Sequence, residues 1–463
     1  MGSVGKNRLH KLPVLNQDAQ RLAPEDVRAF NANSVLNCIR RFGPVARIDL
    51  SRRTGLTPAT VSACCRQLEE LHLVEQAGIG GSRGGRRPVL FQLSRTHFFA
   101  LSVDIGVSET VALAVDLSGS VCARLTAPTP KGVAAEGTPS LSVPGEAAGQ
   151  GPGGLGPRQA VQLAVDLLGR LRAQLPPQAV TLGVVVTVPG PVDYETGTVL
   201  FSPNLPGWEG VPLRPWLRDA LGLPCWIEND ANAAAWAERW LGVGRETDNL
   251  LFVLVDAGVG SGLVADGELY RGARGTAGEL GHITVDMEGP RCNCGNYGCL
   301  EAVAAPIGLV PQAVREIRKG HPSRMAEIVQ GRLEAIDPDV LLAAAVQRDP
   351  LAVSLLQKAG RYIGIGVAAM INLFNPQLIV IGGRFPTAFP DLFPAIAATA
   401  QARAFQALAG GAKIVPSSLG PDAVALGGAA LVLRRFFQQA PGSTGGAGLD
   451  GSAALADKAT PFH

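Results

Sequence analysis

Residues 278–301 read GELGHITVDMEGPRCNCGNYGCLE, which places one histidine and three cysteines within a short span. His282 precedes Cys292 by ten positions, and Cys294 and Cys299 follow closely. Three thiolates and one imidazole suit Zn²⁺. Four protein ligands close its tetrahedron, which is the structural rather than the catalytic type of site. Gly295 and Gly298 let the chain turn tightly enough for Cys294 and Cys299 to converge. A redox pair is the other reading of clustered cysteines, but it has no use for a third thiol. The remaining five, Cys38, Cys64, Cys65, Cys122 and Cys225, stand in apolar surroundings and are expected to pack as small core residues.

Working outward, the 463-residue chain is long enough for two to four domains. No stretch approaches the roughly 18–20 apolar residues of a membrane span. The opening MGSVGKNRLHKLPVL lacks the apolar core of an export signal, so the expected location is the cytoplasm. Charge is divided unevenly. Residues 1–95 hold fifteen Lys/Arg against seven Asp/Glu, a balance of +8, which leaves −6 for the rest of a chain of net charge +2. A basic head on an acidic body suggests that the head meets phosphates, although a solvated basic face would look the same by charge alone.

The head spans residues 24–95, after an N-terminal arm of residues 1–23 expected to be flexible. Ala23–Phe42 carries Val27, Phe30, Val35, Leu36 and Ile39 at near-helical spacing, and Gly43-Pro44 ends it. Val45–Thr54 reads as a second short helix and Gly55 as the turn. Thr57 then caps a third helix with Pro58 at its first position. In that helix Val61, Cys64, Cys65, Leu68 and Leu71 form an inward stripe. Ala59, Thr60, Ser62, Ala63 and Arg66 are left to face a major groove, with Thr57 at the helix entrance. Between two short strands, Gly80–Pro88 is a basic loop, and as a wing it would lay Arg83, Arg86 and Arg87 on phosphates or in a minor groove. A three-helix protein-interaction module shares the helical pattern. The arginines at the loop tip, with no core to support, favour double-stranded DNA. Such modules read palindromic operators, so a homodimer or higher homo-oligomer is expected.

Beyond residue 96, buried strands alternate with helices, which is α/β organisation. Residues 128–157 are rich in Pro, Gly, Ala and Ser and read as a disordered insertion; residues 439–463 read as a disordered tail.

Four stretches together resemble the ROK family of repressors, open reading frames and sugar kinases. They are Val188-Pro189-Gly190-Pro191-Val192-Asp193, Glu228-Asn229-Asp230-Ala231-Asn232-Ala233-Ala234, Gly278–His282 and Cys292–Glu301. With a DNA-binding head attached, the chain looks like the repressor branch, which includes xylose-type repressors. The resemblance implies an α/β fold, a winged helix-turn-helix followed by a two-lobed actin/hexokinase-like (ribonuclease H-like) body. Its first lobe would be residues 96–228 completed by 355–438, and its second residues 229–354. It also implies a sugar held by Asn229, Asp230, Glu279, His282 and Glu301. In the kinases the position of Asp230 is the base that deprotonates the attacking hydroxyl. Here Asp230 could equally cap the helix it opens. His282 would bind the metal through one nitrogen and present the other to the ligand.

The phosphate-binding parts depart from the kinase pattern. The first loop is Asp104-Ile105-Gly106-Val107-Ser108, where a valine replaces a glycine that backbone should leave open to phosphate. The second is Asp256-Ala257-Gly258-Val259-Gly260-Ser261-Gly262, which lacks a threonine hydroxyl and adds a negative charge. Near the adenosine position, Gly382-Gly383 is followed by Arg384. Phosphoryl transfer depends on positioning and charge stabilisation, so these changes strike the mechanism itself. The expectation is a sugar-responsive regulator of carbohydrate-metabolism genes that uses structural zinc and not ATP. The alternatives are an active ATP-dependent sugar kinase that also binds DNA, and a docking platform for a transport component.

Overall fold

The computed structural model describes residues 24–80, 87–130 and 155–438, which fall into two compact units. Among the described residues, one runs to Leu93 and takes in Phe437 and Gln438; the other spans Ser94–Phe436. The expected arm (1–23), most of the insertion and the tail lie outside the described residues. No helix among the described residues is long and apolar enough to cross a membrane.

The first unit is built from α1 (Pro24–Phe42), β1 (Val45–Ala46), α2 (Arg47–Thr54), α3 (Pro58–Glu70), β2 (Val74–Ile79) and β3 (Val89–Leu93). Two expectations are corrected here. Residues 45–46 do not begin a helix but pair with β3, Val45 opposite Phe91, and so form the third strand of a small sheet in the order β1-β3-β2. The buried face of α1 is Ala29, Ala32, Val35, Leu36 and Ile39, whereas Val27 and Phe30 are exposed. At about 100° per residue the last two lie on the side opposite Ala32. The helix–turn–helix signals hold. Gly55 closes α2 in the left-handed conformation (φ 73°), and the Thr57 side chain accepts from the Thr60 N–H.

In the second unit, one five-stranded sheet has the order β10-β7-β4-β5-β6. Its members are β4 (Phe98–Ile105), β5 (Glu109–Asp116), β6 (Val121–Pro128), β7 (Val180–Val188) and β10 (Cys225–Asn229). Helices α4 (Leu155–Arg172) and α5 (Leu213–Leu221) cover it, and a hairpin of β8 (Val192–Asp193) and β9 (Thr198–Val199) follows β7. The insertion is shorter than expected at both edges: Pro128 pairs with Glu109, and residues 155–157 already belong to α4. Cys122 is exposed on β6, unlike Cys38, Cys64, Cys65 and Cys225, which are buried. Alternate side chains of this edge strand face solvent, and Cys122 falls on that side.

The second five-stranded sheet has the order β13-β12-β11-β14-β15. It contains β11 (Leu250–Val255), β12 (Val259–Ala265), β13 (Glu268–Leu269), β14 (Leu378–Gly382) and β15 (Lys413–Pro416). Helix α6 (Asp230–Trp240) leaves the end of β10 and packs on β12, where a side chain at Gly262 would strike Ala231 and Ala235. Helices α7 (Leu300–Ala304), α8 (Pro306–Arg318), α9 (Arg324–Ile328), α10 (Pro338–Val346) and the long α11 (Pro350–Phe374) follow. After β14 come α12 (Arg384–Ala388), α13 (Leu392–Arg403) and α14 (Gln406–Ala409). Residues 355–438 therefore do not complete the first lobe as a block. Parallel pairing of β14 with β11 and of β15 with β14 commits them to the second sheet. Only the last helix, α15 (Ala423–Gln438), returns, with Gly428 beside Ser102 and Val185 of the first sheet.

Candidate functional site

Strand ends create the cleft of the second unit. Asp104 is the last residue but one of β4, Asn229 ends β10, Asp230 opens α6 and Asp256 follows β11, so backbone carriers from both sheets deliver carboxylates to one opening. Asn229, Asp230, Glu279, His282 and Glu301 all line it, as do the loops after β4 and β11 and Arg384. The cap of α6 is Asn229 rather than Asp230. Its Oδ1 accepts the Asn232 N–H at 3.0 Å, and its Nδ2 donates to the Gly190 carbonyl at 3.1 Å. Asp230 lines the cleft and accepts from the N–H of Ala231 at 2.8 Å.

Burial pushes the Asp230 carboxyl well above the usual carboxylate range, and the neighbouring charges of Asp104, Glu279 and Asp256 add to the shift. Asp104 is pushed up to about 7, mainly by burial. The Thr187 hydroxyl, which donates to it at 2.9 Å, opposes that rise. Glu279 and Glu301 are raised by burial and restrained by His282. Glu301 accepts from the Val259 N–H at 3.1 Å and from Asn204 Nδ2 at 3.4 Å. Asn204 also lines the cleft. It escaped sequence reading because it lies in an irregular segment with no motif around it. A Cβ at Gly258 would meet the Glu301 carboxylate, which would then have to move from its place beside the Val259 N–H.

Asp256, after β11, and Arg384, at the start of α12, are partners. Asp256 is raised by burial, and Arg384 opposes the shift both with its charge and with its backbone N–H. These residues are far apart in sequence, so nothing in either motif announces the pairing. Arg384 also bridges to Asp339 at the start of α10. In the first loop, Val107 is packed against the first-sheet core and Gly106 donates to the Glu109 carbonyl at 3.0 Å.

Beside the cleft, the donor atoms of His282, Cys292, Cys294 and Cys299 lie within 4.8 Å of one another. His282 Nδ1 is 3.7 Å from Cys292 Sγ, and Cys294 Sγ is 3.7 Å from Cys299 Sγ. Sulfurs held about 2.3 Å from one tetrahedral ion stand roughly 3.8 Å apart, so the residues fit a zinc ion. Burial pushes Cys292 up to about 12 and raises Cys299; a bound cation would let such thiols ionise together. The chain turns at Gly298 (φ 62°), where a side chain would strike the Asp286 carbonyl. The other ring nitrogen of His282, Nε2, faces Glu279 at 3.8 Å.

In the first unit, Thr57, Ala59, Ala63 and Arg66 are exposed along α3, with Thr60 and Ser62 half-buried. Thr57 and Thr60 share a hydroxyl contact at 2.9 Å, and Ser62 Oγ donates to the Pro58 carbonyl at 2.8 Å. Arg87 is exposed; Arg83 and Arg86 lie outside the described residues.

Residues 156–435 match the ROK family profile. A putative xylose repressor of Caldicellulosiruptor sp. (strain Rt8B.4) is 31% identical over 77% of this chain and 84% of its own length. The crystal structure of a ROK family transcriptional regulator, described as a homolog of the E. coli MLC protein, superposes with a TM-score of 0.68. It is 30% identical and covers 89% of this chain and 97% of that one. A ROK family glucokinase from Streptomyces griseus, in complex with glucose and AMPPNP, gives a TM-score of 0.59 at 28% identity, over 73% of this chain and 99% of that one.

Proposed function

From the premise that the chain belongs to the ROK family, we propose that it is a sugar-responsive transcriptional regulator, a repressor of carbohydrate-metabolism genes that acts in the cytoplasm. Residues 24–95 are its winged helix-turn-helix. They bind operator DNA with α3, through Thr57, Ala59, Thr60, Ser62, Ala63 and Arg66, and with Arg83, Arg86 and Arg87 on the wing. Asn229, Asp230, Glu279, His282 and Glu301 bind the sugar, because carboxylates and an amide can accept from and donate to several hydroxyls at once. His282, Cys292, Cys294 and Cys299 hold a structural zinc that supplies rigidity and no chemistry.

The observation that carries this reading is the double exposure of His282. One ring nitrogen faces the thiols and the other faces the cleft. Holding the ring on the thiol side fixes the angle at which it meets a ligand on the other. A sugar that binds one arrangement of the body better than another shifts that equilibrium, and with it the operator affinity of a homodimer. Gel-shift titration of the full chain on its own upstream DNA, with a panel of free sugars, tests this. One sugar should change the operator affinity. If none does, and binding is uniform and salt-sensitive on any DNA, the reading falls.

An active sugar kinase is the second reading, favoured by the retained Asp230 and its raised pKa. Against it stand Val107 in the first loop and the Asp256–Arg384 pair in the second. Incubation with ATP, Mg²⁺ and hexoses or pentoses should give no turnover. Turnover abolished by Asp230→Asn would establish the kinase instead.

A further inference from the structure

Away from the cleft and the thiol cluster, helices α11 and α13 line a groove of about 510 Å³. The two helices approach closely because α11 carries glycines at the contact. A Cβ at Gly360 would strike Ala395, and one at Gly364 would strike Thr399. Along this contact Ile365, Ala398 and Ala402 give the groove an apolar lining. Its rim is cationic. Lys358 and Arg361 stand one turn apart on α11, Arg403 comes from the end of α13, and all three are exposed. Lys358 Nζ lies 6.0 Å from the centre of the Tyr362 ring, and the Tyr362 hydroxyl is turned to Asp286, 3.3 Å away. No carboxylate lines the groove, and among the described residues none of the three cations is in an ion pair. Residues 96–463 sum to a charge of −6, so this cluster runs against the balance of the body that carries it.

Three like charges on one groove repel one another, and an anion held among them removes that repulsion. A second copy of this chain does not supply the anion, since the same face would set three cations against three. Size decides between a small molecule and a docked helix. At the helical rise, residues 358–365 span about 11 Å and residues 398–403 about 8 Å, a short bed for a partner helix of about three turns. The volume is that of an ordinary small-molecule site. Two guanidinium forks match the oxygens of a phosphate, and the ammonium adds a point charge. The Thr399 hydroxyl on the same lining can donate to a further oxygen, and the apolar lining receives the carbon body. We propose that the α11–α13 groove is a second ligand site, which takes a small organic phosphate on Lys358, Arg361 and Arg403. It shares no residue with the cleft, so it stands whether or not the cleft holds a sugar.

Isothermal titration of the zinc-loaded full chain is the test, with pyrophosphate, fructose 1,6-bisphosphate and AMP as phosphate probes and poly-glutamate as the acidic-polypeptide alternative. At least one phosphate probe should bind. The double variant Arg361→Gln/Arg403→Gln should weaken it at least about tenfold, the loss expected when charged donors are removed. Ala402→Asp, which sets a negative charge among the cations, should do the same. These three positions are exposed, and melting curves check that each variant folds. Both variants should bind the protein's own upstream DNA as the wild type does, which separates the groove from the basic head. Binding of no phosphate probe, or binding that survives both groove variants, overturns the proposal. Poly-glutamate binding that both variants abolish, with no phosphate probe bound, overturns it in favour of an acidic polypeptide.

Discussion

Single residues in this chain serve more than one neighbour. Asn229 caps a helix and still lines the cleft, which frees Asp230 from the capping role that its position suggested. Asp104 shows what burial, helped by neighbouring acidic charges, does to a carboxyl. It lies among acidic groups with one hydroxyl to steady it, and it titrates near 7 rather than near 4. A carboxyl whose folded pKa is raised gives stability that is complete below its unfolded pKa and is lost as pH rises through the folded value. The melting temperature of the ligand-free protein should therefore fall from about pH 4 to about pH 7 and level off above that, at roughly 2–4 °C per kcal/mol lost for a domain of this order. Asp104→Asn should flatten that slope. Differential scanning calorimetry across the range decides, and an equal slope in both proteins would count against this account.

Among the elements, a largely buried ion pair spans the two sheets. Glu228, next to the cap on β10, accepts from Arg271 Nη2 at 2.8 Å, and Arg271 follows β13 of the second sheet. The guanidinium also lies 4.7 Å from the centre of the Tyr194 ring, in the turn of the β8–β9 hairpin. Glu228 is 1% exposed and Arg271 11%. Removing one partner strands the other charge in the interior, so Arg271→Ala should cost about 3–5 kcal/mol of unfolding free energy. Adding Glu228→Gln should recover a substantial part of the loss, because the stranded carboxylate is then gone. Urea unfolding of the single and double variants reads this out. A double variant no more stable than Arg271→Ala would show that the pair's packing, rather than its charge, accounts for the loss.

At the scale of the whole molecule, the thiol cluster is attached to the cleft through His282 and Glu301, the latter two residues after Cys299. Removing zinc with a chelator, or substituting Cys299→Ser, should lower sugar affinity at least about tenfold by releasing the His282 ring, in keeping with the effect of outer contacts on oriented ligands. The body's melting temperature should drop with it. Titration calorimetry alongside metal analysis checks this. Unchanged sugar affinity in metal-free protein would detach the cluster from the sensor.

Legibility followed the range of the interactions involved. The stretch from Gly278 to Glu301, the Thr57–Pro58 helix start and the strand-to-helix step at Asn229–Asp230 were readable, because each is a local arrangement written in consecutive residues. Helix α1 was readable as a helix but not in its facing. Val27 and Phe30 match a helical period yet fall outside the buried stripe, and only packing selects which stripe is buried. The pairing of Val45-Ala46 with β3, the transfer of β14 and β15 to the second sheet, and the Asp256–Arg384 contact were decided by tertiary structure alone. Each joins residues distant in sequence, and the hydrogen bonds and desolvated charges that favour those contacts exist only once the chain has closed on itself. The sequence by itself determined the family and picked out the His/Cys cluster that could hold a metal and five of the residues that line the cleft. Tertiary structure decided which charges those residues face, because only the closed chain brings Asp104, Asp256 and Arg384 to the same opening.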